Sequence, residues 1–585
     1  DGAIDVPLTL RGLGAAGLAA ACVLAQAADR PIAAIQGSGA ASPLQGQVVS
    51  TTGVVTAVLA GSFHLQDPVG DGDARTSEGL QVHARARQGL VPGMRVRVTG
   101  RVVEWAPRGA APGTGTTQLD EVSGIELLGP APRPVEPLAL RLPLPAGHDL
   151  ERHEGMLVRL LGPLTVLRND LLGRYGQLTL AAGGRQQIPT DLQRPGPAAL
   201  RLARQQAALR IVLDDGRSST HPSPVPFLHA DGTLRAGETT AEVVGVLDQG
   251  PIGLQAGGAQ GWRLQAVQPP VFQRPQPRPG TPPAVGGELR VASFNLLNYF
   301  TRPNPQRGAD NAEELARQQA KLVAALQAIG ADVLGLMEIE NQPQAPQHLA
   351  DALNAVMGAG TYAAVPQAAF TGTDAIQVAL LYRPARLRRL GAPATDADPV
   401  HHRPPLAQRF QPVDGGEPFT VIVNHFKSKR CGDAQGADAD QADGQGCFNA
   451  RRVTQARALA GFVQRQGSQA LVIGDLNAYA QEDPLQRLRQ AGLVDLLQQH
   501  APGAHTYVHD GAAGRLDHAL ASPALAPRVA GAAVWHINAD EPALLDYNLE
   551  GRAPGCSRCA PDAWRPDAFR SSDHDPVIVG LRRRR

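Results

Sequence analysis

The strongest constraint on this fold is a pattern that recurs after residue 288, in which a short apolar run ends abruptly in polar residues. The pattern occurs at 288–298, 331–341, 375–384, 419–429 and 470–478. Amphipathic stretches with helical spacing lie between some of these runs, at 313–329 and 448–466. Apolar β runs that alternate with helices indicate an α/β layered fold, and polar strand ends indicate a site along the sheet edges. We therefore predict one α/β domain over 288–582.

The rest of the chain predicts two β-rich modules and a linker. A chain of 585 residues is longer than one hydrophobic core usually supports, so several domains are expected. Short alternating strands with Gly- and Asp-rich turns predict an OB-like β-barrel over 31–130, although a purely structural barrel stays open. Residues 150–272 predict a second β-rich, barrel-like module without a chemical signal. Residues 273–287, with RPQPRPGTPP at their centre, predict a stiff, extended linker.

The first 27 residues have the pattern of an export signal. Arg11 precedes an apolar run from Leu13 to Leu24, and Ala25-Gln26-Ala27 matches an A-x-A cleavage site. The apolar run is too short for a stable membrane anchor, and no membrane span is expected elsewhere. The sequence therefore predicts a secreted or periplasmic protein, cleaved near Ala27.

The cysteines beyond this signal are even in number, which favours disulfides in an exported protein. Their spacing indicates the pairs Cys431–Cys447 and Cys556–Cys559. A zinc site made of the same four thiolates is the alternative.

The charge distribution restricts how the chain could bind an acidic partner. The formal net charge is +1, so contact with a nucleic acid requires a local patch or a metal. Of the three lysines, Lys427 and Lys429 lie within the pentapeptide HFKSK at 425–429. Since the chain otherwise uses Arg, this clustering indicates positions that require a compact ammonium group. Chance placement on a solvated loop is the alternative.

The polar strand ends together supply carboxylates, amides and histidines. They are Asn295, Glu338, His425, Asp475, Asn477, Asp517, Asp573 and His574. Carboxylate and amide oxygens suit Mg²⁺ or Ca²⁺, which neutralises a phosphate that otherwise repels hydroxide. A histidine held by an aspartate can deprotonate water, because its ordinary pKa of about 6.5 is close to working pH. Any one of these residues alone is more often structural, but the set predicts metal-assisted phosphate hydrolysis.

Six motifs carry a family resemblance. ASFNLLN, GLMEIEN, VNHFKSK, VIGDLNA, GRLDHAL and SSDHDPV follow one another along the chain. In this order they resemble the endonuclease/exonuclease/phosphatase superfamily that includes DNase I. The insertion CGDAQGADADQADGQGCFNARR after HFKSK, together with the preceding barrel, resembles more narrowly the ExeM/NucH type of extracellular nuclease. The resemblance implies a DNase I-like four-layered β-sandwich over 288–582 and phosphodiester hydrolysis in DNA, with RNA as an open alternative.

The resemblance also implies a role for each matched residue. Glu338 would ligate Mg²⁺ or Mn²⁺, with Asn295 beside it and Asp573 completing the metal side. Asp475 and Asn477 would orient the attacking water and hold a phosphate oxygen.

The histidines take the proton-transfer roles in this scheme. Asp517 would fix one tautomer of His574, which acts as general base or as a phosphate-stabilising imidazolium. His425 would protonate the leaving 3′ oxygen or stabilise the transition state. We expect Asp374 to orient His425, and Lys427 and Lys429 to contact backbone phosphates.

Several acidic loops leave alternatives open. Asp540, Glu541 and Asp546 are alternative metal ligands, and a solvated loop is the competing interpretation. A structural Ca²⁺ is a further alternative at two clusters that partly resemble calcium loops. These clusters are Asp438, Asp440 and Asp443 before Gly444, and Asp67, Asp71 and Asp73.

Two other functions remain open at this point. A phosphatase or phosphodiesterase of the same fold could act on a phospholipid or another phosphoester, because fold alone does not fix the substrate. A non-catalytic secreted binding protein is the second alternative, although every expected catalytic position holds a competent residue. A monomer is expected.

Overall fold

The computed structural model describes residues 27–85, 87–253, 259–549 and 562–584. The export signal lies outside these residues except for Ala27, and the Cys556–Cys559 pair lies outside them as well. Within the described ranges no helix has the length and apolar character needed to cross a bilayer.

The first module spans residues 28–130. Its elements are β1 (Ala28–Asp29), α1 (Ile32–Gln36), β2 (Val48–Val58), β3 (Ser62–Gln66), β4 (Gly79–His83), β5 (Met94–Trp105) and β6 (Thr116–Pro130). Strand β2 pairs with both β3 and β5, so the pairing order β2-β3-β4-β6-β5 returns to its start. Val96, Val98 and Val102 on β5 are fully buried, as the period-two pattern predicts. The register shifts at Gly100, where a Cβ would lie 2.9 Å from the Asp120 carbonyl oxygen.

The second module repeats the connectivity of the first. Its elements are β7 (Leu138–Leu140), β8 (Leu157–Arg168), α2 (Leu172–Tyr175), β9 (Leu178–Ala182), α3 (Pro189–Leu192), α4 (Pro197–Ala207), β10 (Arg210–Asp214), β11 (Thr239–Pro251), β12 (Gln260–Ala266) and β13 (Phe272–Gln273). The order β8-β9-β10-β12-β11 returns to β8, and β10 runs parallel to β12 as β4 does to β6. The sequence predicted a β-rich module here but not this shared connectivity, because the two segments share no visible repeat.

The Pro-rich linker is held by contacts on both sides. Arg274 donates to Glu238 Oε1 of the second module at 2.6 Å. Arg278 donates to both carboxylate oxygens of Glu541 at 3.0 Å, and its guanidinium lies 3.7 Å from the centroid of the Phe569 ring. The linker therefore joins the second module to the C-terminal domain as a docked segment.

The C-terminal domain consists of two facing sheets flanked by helices. Its elements are β14 (Leu289–Tyr299), α5 (Ala312–Ile329), β15 (Val333–Glu340), α6 (Ala345–Met357), β16 (Ala363–Ala364), β17 (Ile376–Tyr382), β18 (Leu387–Thr395), β19 (Leu406–Pro412), β20 (Phe419–His425), α7 (Asn449–Arg465), β21 (Ala470–Asp475), α8 (Asp483–Gln490), β22 (Val494–Asp495), α9 (Leu496–His500), β23 (Tyr507–His509), β24 (Ala512–Gly514), β25 (Asp517–Ala521), β26 (Val529–Val534) and β27 (Val577–Leu581). Short 3₁₀ turns occur in this domain at Gly436–Asp438, Ala526–Arg528 and Ala543–Leu545, and one occurs in the second module at Glu151–His153.

The sheets and helices of this domain form four layers. One main sheet has the order β16-β17-β15-β14-β27-β26 and the other β18-β19-β20-β21-β25-β22, while β23 and β24 form a separate two-stranded sheet. Val291 and Met337 of the first sheet pack against Val423 and Ile473 of the second. Helices α5 and α6 cover the outer face of the first sheet, and α7 and α8 cover that of the second. The C-terminal half therefore has the predicted α/β layered sandwich.

Helix α5 illustrates how local signals set these elements. The side chain of Asn311 accepts a hydrogen bond from the backbone N–H of Glu314 at 3.0 Å and caps the first turn. Gly330 ends the helix with φ of 56°, a left-handed conformation that glycine adopts readily. Leu322 and Leu326 on the apolar stripe are fully buried.

Candidate functional site

The polar strand ends converge where the two sheets meet. Asn295 on β14 donates from Nδ2 to Glu338 Oε1 on β15 at 3.2 Å and to Asp475 Oδ2 at 3.3 Å. Strands β14 and β15 are parallel, as are β20 and β21, so their carboxyl ends lie at one edge. One amide therefore links the carboxylates of both sheets.

Unusual backbone conformations place these side chains. Glu338 has φ of 61° and Asn477 has φ of 46°, which is strained for residues with a Cβ. The register of β15 shifts at Glu338 against both of its neighbouring strands, β14 and β17. Bulges of this kind redirect a side chain. Gly474 has φ of 135°, and a Cβ there would lie 2.0 Å from the Asn424 carbonyl oxygen. Position 474 therefore requires glycine.

His574 is held by an ionic hydrogen bond. Its Nδ1 lies 2.7 Å from Asp517 Oδ2, and its Nε2 lies 3.9 Å from Asp475 Oδ2. Burial alone would lower the pKa of His574, but the nearby carboxylates, first Asp517 and then Asp573, raise it well above the ordinary value. The ring of Tyr507 covers the imidazole with a centroid distance of 4.7 Å. The geometry matches the orientation of His574 by Asp517 that the resemblance implies.

The second histidine, His425, is buried and held in the neutral form. Its Nε2 lies 3.5 Å from Asp475 Oδ2 and 3.8 Å from Glu338 Oε1. Burial and then the positive charge of Arg403 lower its pKa well below the ordinary value. Among the described residues its Nδ1 has no hydrogen-bond partner.

The prediction that Asp374 orients His425 needs correction. Asp374 accepts hydrogen bonds from Arg307 Nη1 at 2.6 Å and from Arg403 Nη1 at 3.4 Å instead. Arg403 donates to the main-chain carbonyl oxygens of His425 and Phe426. The link between Asp374 and His425 is therefore indirect and runs through a buried guanidinium that the sequence did not single out.

The donor set at this edge suits a divalent cation. Asp475 is buried and Glu338 is half-buried beside it, and desolvation is the main cause that raises the pKa of both carboxyls, that of Asp475 to about 7. The charge of Asp573 raises the pKa of Glu338 further. A cation would neutralise these crowded carboxylates, and carboxylate and amide oxygens are hard ligands. Glu338, Asn295 and Asp475 would hold it, with Asp573 nearby.

The two lysines of HFKSK have different surroundings. Lys427 is half-buried, with Nζ 4.4 Å from the centroid of the Phe448 ring. Lys429 donates to Glu482 Oε2 and to the Gln445 carbonyl oxygen, both at 2.6 Å, and burial lowers its pKa to about 8. The prediction that Lys429 contacts phosphate therefore needs correction, because its ammonium group is already paired inside the protein.

The interpretation of Asp540 and Glu541 as part of a solvated loop is wrong. Both are buried, because arginines of the second module and the linker pair with them. Ligand atoms of His505, His536 and Asp540 lie within 4.8 Å of one another, as a metal site requires. Arg185 Nη2 contacts both His505 Nε2 and Asp540, so a guanidinium fills this group. Asp546 is half-buried and accepts from the Asn548 N–H at 2.9 Å.

The calcium-like clusters use their carboxylates locally. Asp438 pairs with Arg451 at 3.2 Å and Asp73 with Arg75 at 2.7 Å. The remaining carboxylates accept hydrogen bonds from backbone N–H groups of their own turns, namely Asp67, Asp71, Asp440 and Asp443.

A segment of the second module, residues 188–194, supports the loop that follows Asp475. Asp191 Oδ1 accepts from the backbone N–H of Ala480 at 3.0 Å and of Arg515 at 3.4 Å. Thr190 donates from Oγ1 to Glu482 Oε1 at 2.8 Å, and its carbonyl oxygen accepts from the Gln481 N–H at 3.0 Å. The loop that carries Asn477 is thus fixed from outside the C-terminal domain.

The disulfide loop also reaches this region. Cys431 and Cys447 form a disulfide, which confirms that predicted pair. The Asp443 carbonyl oxygen in the loop accepts from the Gly196 N–H of the second module at 2.8 Å. Gln445 donates from Nε2 to Asp483 Oδ2 at 2.8 Å. The insertion therefore connects three parts of the molecule beside the site.

A four-layered sandwich with buried carboxylates and a His–Asp pair at the sheet edge is an arrangement suited to phosphoester hydrolysis. Residues 292–574 match the family model described as the Endonuclease/Exonuclease/phosphatase family. The matched residues contain the whole site, so this part of the chain is similar to that family.

Solved structures show similarity of a more distant kind. Humanized D. rerio TDP2 is 18% identical, covers 50% of this chain and 97% of its own, and has a TM-score of 0.32. A family protein from Bacteroides thetaiotaomicron is 17% identical, with 50% and 96% covered and a TM-score of 0.33. The human Nocturnin catalytic domain with bound sulfate is 17% identical, with 50% and 93% covered and a TM-score of 0.31. No curated protein matches the chain.

Proposed function

We propose that the protein is a secreted, divalent-metal-dependent nuclease that hydrolyses phosphodiester bonds in DNA. The observation that carries this proposal is the pairing of His574 with Asp517 at 2.7 Å directly beside the oxygen cluster of Glu338, Asn295 and Asp475. A base and a cation site at one edge are what attack by water on an anionic phosphate requires.

Each side chain has a task in this proposal. A bound Mg²⁺ or Mn²⁺ supplies charge neutralisation of the phosphate and a lower pKa of water. Asp517 accepts the Nδ1 proton of His574, so His574 directs Nε2 at the substrate to take a proton from water or to hold a phosphate oxygen. His425, kept neutral by burial and by Arg403, donates from Nε2 to the leaving oxygen. Asn477, fixed by its bond to the Phe426 carbonyl oxygen, orients the phosphate.

Other features support a polymeric, extracellular substrate. The closed strand pairing of both N-terminal modules supports our prediction of an OB-like barrel in the first and a barrel-like module in the second, and OB-like barrels bind oligonucleotides and oligosaccharides. The half-buried Lys427 follows His425 by two residues in the chain, and we infer that it contacts a backbone phosphate. The Cys431–Cys447 disulfide and the export-signal pattern support a secreted or periplasmic location.

The test is hydrolysis by the purified full chain with its disulfide intact. We expect supercoiled plasmid DNA to be nicked or degraded with Mg²⁺ or Mn²⁺, and EDTA to stop the reaction. RNA, a phosphomonoester and sphingomyelin serve as competing substrates. Faster turnover of the monoester or of sphingomyelin would replace the nuclease by a phosphatase or a phospholipid phosphodiesterase. Absence of any phosphoester hydrolysis would favour a non-catalytic binding protein.

A further inference from the structure

A polar cleft of about 440 Å³ lies between the two N-terminal modules and shares no residue with the hydrolytic site. Strands β3, β4 and β6 of the first module line one side. Strands β10, β11 and β12 and the turn at 216–219 of the second module line the other. The packing of the two modules creates this space, so a ligand there would contact both of them.

Two aromatic side chains line the cleft. Trp105, at the end of β5, leaves 41% of its surface exposed. Tyr175 lies at the end of α2, and the guanidinium of Arg174 lies 5.4 Å from the centroid of the Tyr175 ring. An exposed indole offers a broad apolar face with a polar N–H at its edge. Such a face suits a ligand that has an apolar side and a hydroxylated rim.

The floor of the cleft is a buried network of planar polar groups. Arg263 donates to both oxygens of Asp248, at 3.0 Å and 2.7 Å, and to Asp214 Oδ2 at 3.2 Å. Gln177 donates from Nε2 to Asp214 Oδ2 at 2.8 Å. Gln265 is 3% exposed, and its Oε1 has no hydrogen-bond partner among the described residues. A buried acceptor without a partner is unfavourable unless a ligand supplies a donor.

The wall formed by the first module adds further groups of the same kind. Gln81 donates from Nε2 to Gln118 Oε1 at 3.1 Å, and His83 Nδ1 lies 3.1 Å from Asp120 Oδ1. Amide and carboxylate groups hold two neighbouring hydroxyls at once, because they present paired donors or acceptors in one plane.

The charge of the lining favours a neutral ligand. The carboxylates of Asp120, Asp214 and Asp248 outnumber the guanidinium groups of Arg217 and Arg263. Arg263 is already neutralised by Asp248 and Asp214. A single-stranded nucleic acid binds mainly through an excess of Lys and Arg on its phosphates, and this cleft has no such excess.

We propose that the cleft binds an uncharged oligosaccharide, with one sugar ring stacked on Trp105 and its hydroxyls bonded to the amides and carboxylates of the floor. Gln265 Oε1 then receives the donor that it lacks. The site would attach the secreted protein to a polysaccharide surface through its N-terminal modules.

Binding of neutral hexasaccharides to the full chain tests this proposal. The probes are cellohexaose, chitohexaose, maltohexaose and mannohexaose, measured by calorimetry and by tryptophan fluorescence. We expect at least one to bind, and Trp105→Ala to weaken that binding by about tenfold or more. Gln265→Leu should weaken it too, because Leu cannot accept a hydrogen bond from a sugar hydroxyl. Leu128→Ala, on the exposed side of β6, is the matched control and should leave binding unchanged.

Three results would overturn the proposal. They are no binding of any hexasaccharide at millimolar concentration, equal binding by Trp105→Ala, and Trp105-dependent binding of an oligothymidylate in place of every sugar. Near-ultraviolet circular dichroism of each variant shows whether it is folded. Plasmid hydrolysis by Trp105→Ala should equal that of the unmodified protein, so failure of this proposal and failure of the nuclease proposal are distinguishable.

Discussion

Asp475 and Asp517 occupy directly paired positions on the neighbouring strands β21 and β25, and both are buried. Their surroundings give them different tasks. Asp517 Oδ2 is hydrogen-bonded to His574 Nδ1 at 2.7 Å. Asp475 instead contacts Asn295 and lies within 4 Å of both histidines. The first carboxylate therefore orients a base, and the second belongs to the cation and phosphate side of the site.

Replacing Asp517 by Asn should lower kcat for plasmid DNA by roughly 10²–10⁴-fold, because His574 loses the ionic partner that fixes its tautomer. Asn has nearly the same volume, so the fold should persist, which melting curves check. The exposed Asp351→Asn on α6 is the control and should retain full activity. A kcat within twofold of the unmodified value, roughly 0.4 kcal/mol, would remove Asp517 from the proposed mechanism.

Replacing Glu338 by Gln tests the cation site. We expect the Mg²⁺ concentration for half-maximal activity to rise by at least about 10–100-fold, the effect that loss of even an outer-shell group has on metal affinity. Mn²⁺ binding measured by electron paramagnetic resonance should weaken in parallel. Glu313→Gln, exposed on α5, controls for the charge change. Unchanged Mn²⁺ affinity in Glu338→Gln would place the cation elsewhere.

Sequence patterns located the residues of this site better than they located its charge partners. The carboxyl ends of parallel strands lie at the same edge of a sheet, so polar residues that follow apolar runs meet there. For this reason the sequence positions of Asn295, Glu338 and Asp475 were enough to predict them as site residues. The two arginines that donate to Asp374 lie 67 and 29 positions from it in the sequence. No local pattern links such partners, and for this reason Arg403 was missed and Asp374 was assigned to His425.

At the scale of elements, the predicted runs agree with the observed strands and helices to within a few residues. The largest difference is the run at 419–429, since β20 ends at His425. Beyond His425, the backbone N–H of Lys427 donates to Gln455 Oε1, and Lys429 pairs with Glu482. These long-range contacts take residues 426–429 out of the strand, and the sequence pattern does not show them.

The disulfide loop at 431–447 supplies an element-scale prediction. Replacing both Cys431 and Cys447 by Ser should lower the free energy of unfolding by roughly 3 kcal/mol, the value for closing a loop of about this length. Limited proteolysis should then cut within 432–446, because those residues depend on the link for their contacts with Gly196 and Asp483. Ala439→Ser in the same loop is the control. Identical melting and cleavage patterns in the double variant would show that the link is dispensable.

At the scale of the whole molecule, the second module is part of the site's support. Asp191→Ala removes the acceptor for two N–H groups beside the catalytic loop, at a cost of about 1–3 kcal/mol. We expect a lower kcat, a nearly unchanged KM and faster hydrogen exchange at 475–483. Asp191→Asn keeps an acceptor oxygen and should restore most of the activity, and the exposed Arg201→Ala on α4 should have no effect. Normal exchange at 475–483 in Asp191→Ala would contradict this support.

Sequence reasoning treated these parts as separate modules joined by a linker. It could not show that they pack, because the contacts join backbone atoms and single side chains of ordinary type. Gly79 illustrates the point, since a Cβ there would lie 2.1 Å from the Gly155 carbonyl carbon of the next module. Only the assembled structure reveals that this glycine is required.

The junction of the two N-terminal modules should make stability depend on pH. Glu154 is fully buried there and accepts from the Thr117 N–H at 2.8 Å. Burial, and then the charge of Glu151, raise its pKa well above 4.5. As pH rises past the pKa that Glu154 has in the unfolded chain, the unfolded chain loses this proton while the folded chain keeps it. The unfolded chain then binds fewer protons than the folded chain. Stability from this group is therefore present at low pH and lost as pH rises.

Glu154→Gln removes this ionisation and keeps the acceptor for the Thr117 N–H. At about pH 8 we expect a higher Tm than that of the unmodified protein, on the order of 3 °C for each kcal/mol regained. The difference should shrink towards about pH 5, where Glu154 is protonated more often in both states. Glu126→Gln, exposed on β6, should melt like the unmodified protein at both pH values. Thermal melts between about pH 5 and pH 8 test this prediction. If the Tm advantage of Glu154→Gln grew as pH fell, its sign would contradict a buried carboxyl with a raised pKa.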